Sequence, residues 1–113
     1  MPISTHVLDT ARGKPAERVP VRLERQESPG KWRQLARALT DREGRCGRLL
    51  PENEALQEGL YRLSFETADY YAAQGIQGLY PVVEITFQVR DVESHFHIPL
   101  LLSANGYTTY RGT

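Results

Sequence analysis

The run HFHIPLLLS at positions 95–103 carries two of the chain's three histidines. Side chains alternate faces along an extended strand. Phe96, Ile98, Leu100 and Leu102 therefore share one face, which must be the core. His95 and His97 share the other face, about 7 Å apart along the strand. Two imidazoles on one outer face admit three readings. They can be two solvated side chains of an edge strand. With His6 they can supply three imidazoles to zinc and leave an open position for water. Or they can do acid–base work without a metal, since neutral imidazole has a pKa near 6.5.

The remaining candidates are weighed in the same way. His6 shares a strand face with Ser4 and Leu8, and the ordinary reading of such a residue is a core histidine satisfied by backbone. Arg42, Arg45 and Arg48 cluster around one turn, and residue type alone does not separate them. Cys46 reads as a small buried hydrophobe rather than a nucleophile, because nothing nearby in sequence lowers its pKa. Tyr70 and Tyr71 read as packing residues. The tail YTTYRGT at 107–113 carries two tyrosines and an arginine where chain ends are usually frayed and polar. It reads as a segment that packs against something, with Gly112 permitting close backbone approach.

These residues need a scaffold of strands. Alternation predicts strands over 3–9, 19–24, 32–40, 46–50, 61–66, 83–89, 95–103 and 107–110. Pro20 cannot donate to a ladder, so the second strand is expected at an edge or bulged there. Turn residues separate the segments, including Gly44, which can take positive φ. Over 67–75 the pattern changes: Thr67 can cap, alanine is plentiful and Gly75 can stop a helix. One short helix against seven or eight strands predicts an all-β sandwich. A parallel α/β sheet would need a helix at every crossover.

At 113 residues the chain has room for one domain, 1–113. Lysine plus arginine equals aspartate plus glutamate at 14 each, so the basic excess of a nucleic-acid binder is missing. No aliphatic run approaches the ~20 residues of a membrane helix. The single cysteine excludes an internal disulfide and cysteine-rich zinc scaffolds. The first residues lack the basic-then-apolar pattern of a secretory leader, and the last are not an SKL-type address. Cytoplasm is the expected compartment, with neither nucleic acid nor membrane as partner.

Four stretches resemble the 5-hydroxyisourate hydrolases, the transthyretin-like or transthyretin-related proteins. They are STHVLDT at 4–10, TDREGR at 40–45, HFHIPLLLS at 95–103 and YTTYRGT at 107–113. GKPA at 13–16 and GLY at 59–61 fit as well, so the resemblance runs nearly the whole chain in order. It implies the transthyretin-like (prealbumin-like) β-sandwich and a homotetramer with sites at a subunit interface. It implies hydrolysis of 5-hydroxyisourate, in urate degradation, to 2-oxo-4-hydroxy-4-carboxy-5-ureidoimidazoline, with no cofactor and no metal. The family's polar set falls on His6, Arg45, His97 and Thr113, the last standing where serine is usual.

The roles that follow are catalytic for those four, substrate contact for His6, Arg45, Tyr110 and Thr113, and support for His95. The tail is expected to bring the Thr113 hydroxyl and carboxylate to the imidazoles and to raise their pKa. Two alternatives remain. One is a small-ligand carrier of the transthyretin type, which would want apolar side chains at 6, 45 and 97. The other is a zinc hydrolase using His6, His95 and His97.

Overall fold

Alternation of the kind seen at Val19, Val21 and Leu23 buries one side of each strand, and two such faces close on each other. The computed structural model describes residues 2–113. In chain order it has β1 (Ile3–Asp9), β2 (Lys14–Pro15), β3 (Pro20–Ser28), β4 (Lys31–Leu39), β5 (Arg45–Cys46) and β6 (Gly59–Phe65). Then come α1 (Thr67–Ala72), β7 (Val83–Val89), β8 (Phe96–Ser103) and β9 (Gly106–Thr109). One sheet runs β4-β3-β6-β7. The other runs β2-β1-β8-β9, with β5 also paired to β1. The all-β sandwich with one short helix is as expected from the pattern.

The core lies between the sheets. Val21, Leu23, Tyr61, Leu63, Phe65 and Val83 come from one side and Ile3, Val7, Phe96, Ile98, Leu100 and Leu102 from the other, all buried. Burying a side chain of this size contributes roughly 1.5–3 kcal/mol. Buried Asp9 ends β1, where its Oδ2 accepts the Tyr70 hydroxyl at 2.7 Å and its Oδ1 accepts the Arg12 N–H at 3.1 Å. The Tyr70 bond fastens α1 to the end of β1, and the Arg12 bond closes the turn that follows. Burial pushes the Cys46 thiol up to about 11, which suits a packing residue and not a nucleophile.

Three local expectations are corrected. Pro20 does not mark an edge: β3 is internal, between β4 and β6, and its register shifts fall at Leu23/Glu24 and Gln26/Ser28. Pro20 is tolerated because it is the first residue of the strand, where only its carbonyl is used, accepting the Glu66 N–H at 2.9 Å. The strand expected over 46–50 is only Arg45–Cys46. Leu49 and Leu50 are both buried, and consecutive residues of a half-solvated strand cannot face one core together. Thr67 is not the helix cap. Glu66 is, without a side-chain bond, and the Thr67 hydroxyl donates to the Tyr80 carbonyl instead. Gly75, at φ 70°, takes the left-handed conformation just past the helix.

β1 and β8 are parallel neighbours inside an otherwise antiparallel sandwich, in register from Ile3↔Phe96 to Asp9↔Leu102. The chain between them builds the whole opposite sheet, so no local crossover helix is needed. On its other edge β1 pairs with β5 at Thr5↔Cys46 and His6↔Arg45, then with β2 at Leu8↔Pro15 and Asp9↔Lys14.

Candidate active site

The pairing of β1 on both edges assembles the site. Residues directly opposite on neighbouring strands share a face. Ser4 lies opposite His97 and His6 opposite Arg45, two residues apart along β1. All four stand on the outer face of the sheet, with Thr5, Cys46 and Ile98 turned to the core.

Arg45 is placed by its turn. The Asp41 carboxylate accepts the N–H groups of Glu43 and Arg45 at 2.9 Å each, and the Arg45 carbonyl accepts the Asp41 N–H at 3.0 Å. The Arg45 N–H is the main cause holding the Asp41 carboxyl below its usual range. Gly44 has φ 77°, and its carbonyl accepts the Val7 N–H at 2.7 Å, docking the turn on β1. A Cβ at Gly44 would overlap the Val7 carbonyl oxygen. Arg45 is exposed and makes no ion pair among the described residues, so its fork of donors is available to a ligand. The ambiguity among Arg42, Arg45 and Arg48 resolves here, because only Arg45 lines the cavity beside the imidazoles.

His97 is half-buried. Its Nδ1 lies 2.8 Å from the Ser4 hydroxyl, which also lies 3.0 Å from Nε2 of exposed His95. That leaves Nε2 of His97 to meet a substrate. The tail folds onto the same ring: Gly112 N–H donates to the His97 carbonyl at 2.7 Å, and a Cβ at Gly112 would come within 2.5 Å of His97 Cδ2. The Thr109 hydroxyl donates to the Pro99 carbonyl at 2.8 Å, and the Arg111 guanidinium stacks 4.5 Å over Phe96. The tail therefore packs, as its composition suggested, against β8.

Burial is the first cause that lowers the His97 pKa below 6.5, followed by the charges of Arg45, His95 and His6. This reverses the direction expected from a tail carboxylate. Desolvation and a cationic neighbour both disfavour imidazolium, and no anionic group is among the causes acting on this ring.

A cavity of about 280 Å³ is lined by Ser4, Thr5, Arg45, Gly47, His95, His97 and Thr113. Four expected site residues, Arg45, His95, His97 and Thr113, thus come together. His6 sits beside them but does not line the cavity: its Nε2 lies 2.7 Å from the Glu43 carbonyl. A carbonyl only accepts, so that nitrogen carries a proton and Nδ1 holds the lone pair when the ring is neutral. Tyr110 lines a separate apolar cleft with Ile85, Phe87 and Phe96. Among the described residues no three metal-ligating side chains gather into a group fit to hold an ion, so the three histidines do not converge. A larger cleft, about 650 Å³ between β2 and α1, contains none of the histidines.

Ser4 was missed from sequence. The only available signal was its place two residues before His6, and its value depends on a β1–β8 pairing that no local pattern announces.

Chemically, the cavity offers one fixed cation, two imidazoles joined through a hydroxyl, a further hydroxyl and no carboxylate side chain. It suits a small, carbonyl-rich or anionic molecule lying beside an imidazole whose pKa is lowered by burial and by Arg45. Fold and site together define a transthyretin-like β-sandwich bearing a polar acid–base cavity on the outer face of one sheet. Residues 3–112 match the HIUase/Transthyretin family, and the chain belongs to it.

It is 43% identical over 113 residues to the 5-hydroxyisourate hydrolase of Mus musculus, covering 99% of this chain and 95% of the mouse protein. Among solved structures it resembles the Klebsiella pneumoniae 5-hydroxyisourate hydrolase, with a TM-score of 0.84 at 34% identity over 98% of this chain and 92% of that one. It also resembles sea bream transthyretin in complex with thyroxine, with a TM-score of 0.92 at 31% identity over 100% of this chain and 96% of that one. Backbone shape is thus shared by a hydrolase and by a transthyretin that holds thyroxine, and the side chains must decide between them. No helix of the described residues is long and apolar enough to cross a membrane.

Proposed function

We propose that this chain hydrolyses 5-hydroxyisourate to 2-oxo-4-hydroxy-4-carboxy-5-ureidoimidazoline, using one domain spanning 1–113. The observation that carries this reading is the cavity where Arg45, His95, His97 and Thr113 meet around Ser4. The 43% identity to the mouse hydrolase supports the choice of substrate. The carrier reading is not favoured. A site for an apolar ligand wants apolar walls, and here the walls are guanidinium, imidazole and hydroxyl.

The mechanism follows from what each group can do. Arg45 presents parallel N–H donors to the substrate carbonyl, where negative charge develops as water adds. Nε2 of His97 takes a proton from that water. The water oxygen bonds to the ring carbonyl carbon, the carbon–nitrogen bond of the six-membered ring breaks, and the leaving nitrogen takes up a proton. His6 lies close enough to act on His97 electrostatically, and its Nδ1 gives the site a second basic nitrogen. The Thr113 hydroxyl can donate to or accept from substrate as a serine would. This chemistry calls for no cofactor.

At about 280 Å³ the cavity falls just below the usual range of ligand sites, ~300–1,000 Å³. A second copy facing this sheet would deepen it, and we assign the chain to a homotetramer with its sites at a subunit interface. A lone buried cysteine needs no oxidising compartment, in keeping with the cytoplasm, which this reading assigns.

The test is the ultraviolet decay of freshly made 5-hydroxyisourate with and without the protein. The enzyme-free control matters because the compound also decays unaided. The protein should accelerate the decay, and His97→Ala should lose about 100- to 10,000-fold of that acceleration with thermal unfolding nearly unchanged. Equal decay with and without protein rejects the reading.

A further inference from the structure

We propose that Ser4 is a positioning and proton-relay residue, joining His97 in the cavity to solvent-exposed His95. This rests on the hydrolase reading. Opening an amide-like bond with water at neutral pH gives a carboxylate and an uncharged ureido nitrogen. Water supplies two protons, the leaving nitrogen takes one, and the other must reach solvent. The ring best placed to receive it is the one least suited to keep it: His97 is half-buried, with Arg45, His6 and His95 around it.

The geometry provides an exit. Ser4 is 8% exposed, and its Oγ lies 2.8 Å from His97 Nδ1 and 3.0 Å from His95 Nε2. A hydroxyl has one hydrogen to give and lone pairs to receive. For Nε2 of His97 to hold a lone pair, its Nδ1 must carry the hydrogen and donate to Ser4 Oγ. Ser4 then donates to Nε2 of His95, whose own hydrogen sits on Nδ1. The resting order is His97 Nδ1–H to Ser4 O–H to His95 Nε2.

When His97 Nε2 takes a proton from water, its Nδ1 proton passes to Ser4 Oγ as the Ser4 hydroxyl proton passes to His95 Nε2. His97 is left neutral with its hydrogen on Nε2, Ser4 is unchanged, and His95 is the imidazolium. The number of protons is conserved. The charge has moved from a half-buried ring to an exposed one that exchanges with water. His95, expected from the sequence only to support its neighbours, becomes the exit port.

The placement is over-determined by the fold. Ser4 and His97 are register partners on parallel strands. The Arg111 guanidinium donates to the His95 carbonyl at 3.3 Å, holding that residue against the strand end. Gly112 closes on the His97 ring edge and fixes its plane.

The experiment compares wild type, Ser4→Ala and Ser4→Thr by steady-state kinetics on 5-hydroxyisourate and by ring ¹⁵N NMR of His95 and His97 without substrate. Thermal unfolding is recorded on the same samples. In wild type both rings should show the Nδ1–H tautomer. Ser4→Ala should abolish that preference and lower kcat at least about tenfold, less than the roughly 100- to 10,000-fold of a direct acid–base group because Ser4 acts through His97, with KM nearly unchanged. Ser4→Thr, which keeps a hydroxyl, should restore both. Unaltered tautomers in Ser4→Ala, unaltered kcat, or failure of threonine to rescue either would each overturn the proposal. If wild type leaves 5-hydroxyisourate untouched, the hydrolase reading falls, while the tautomer measurement still decides whether Ser4 couples the two rings.

Discussion

The charge of Arg45 falls on His97 as well as on the cavity that both residues line. It is the second cause, after burial, that lowers the His97 pKa, so this ring gives up its proton at a lower pH than a free imidazole does. Arg45→Ala should therefore do two separable things. The rate should fall by about 100-fold or more, as expected when a donor to a developing oxyanion is removed. The His97 titration, followed by ¹⁵N NMR, should move up toward 6.5, carrying the acid limb of kcat/KM with it. A rate loss with an unmoved His97 titration would show that Arg45 serves substrate alone. The same depressed pKa has a stability consequence. The unfolded chain binds more protons than the folded one between the folded His97 value and 6.5. The folded state therefore gains stability as pH rises through that window, holds the gain above it, and loses it as pH falls.

Elements position these residues through two glycines, each needed for a different reason. Gly44 combines positive φ with a backbone contact that leaves no room for a Cβ. Gly44→Ala must strain the turn and push it off β1, and should cost at least about 2 kcal/mol in denaturant unfolding. Activity should fall too, because Arg45 follows the turn. Gly112 has ordinary backbone geometry, but its α-carbon lies against His97. Gly112→Ala should displace the ring or the tail and lower kcat about tenfold or more, with an unfolding midpoint close to wild type, since the tail adds little core area. If Gly112→Ala matches wild type in rate, the tail is not the clamp on His97 described above.

For the whole molecule, the placement of the cavity matters more than its contents. It opens on the outer face of one sheet, where a single sandwich offers little depth. Assembly of copies across that face would supply the missing wall, and closed symmetry is the usual way for such contacts to be completed. Light scattering at assay concentration should give a tetramer. Dilution should reduce specific activity in step with dissociation. A monomer that retains full activity would mean that the cavity as described in one chain is the complete site.

Period-two alternation was enough to place β1, β6, β7 and β8 and to separate the core face of β8 from its histidine face, because alternation is a local property of any half-buried strand. The helix was legible from other local signals, its alanines and the Gly75 stop, though its cap was not: Thr67 has a competing carbonyl at Tyr80 that is distant in sequence. The motifs around His6, Arg45, His97 and Thr113 pointed to the site, and Arg45, His97 and Thr113 do meet in one cavity with His6 beside them. Tertiary structure alone decided the rest. The internal place of β3 depends on which strands pair. The recruitment of Ser4 depends on β1 and β8 lying parallel, with residues far apart in the chain held in register. The lowered His97 pKa depends on burial and on cations delivered by β5 and β1, and local sequence has no means of expressing either. Residue types and their period set which side chains face out. Which of those side chains meet is set by long-range pairing, whose energy comes from closing the core between the two sheets.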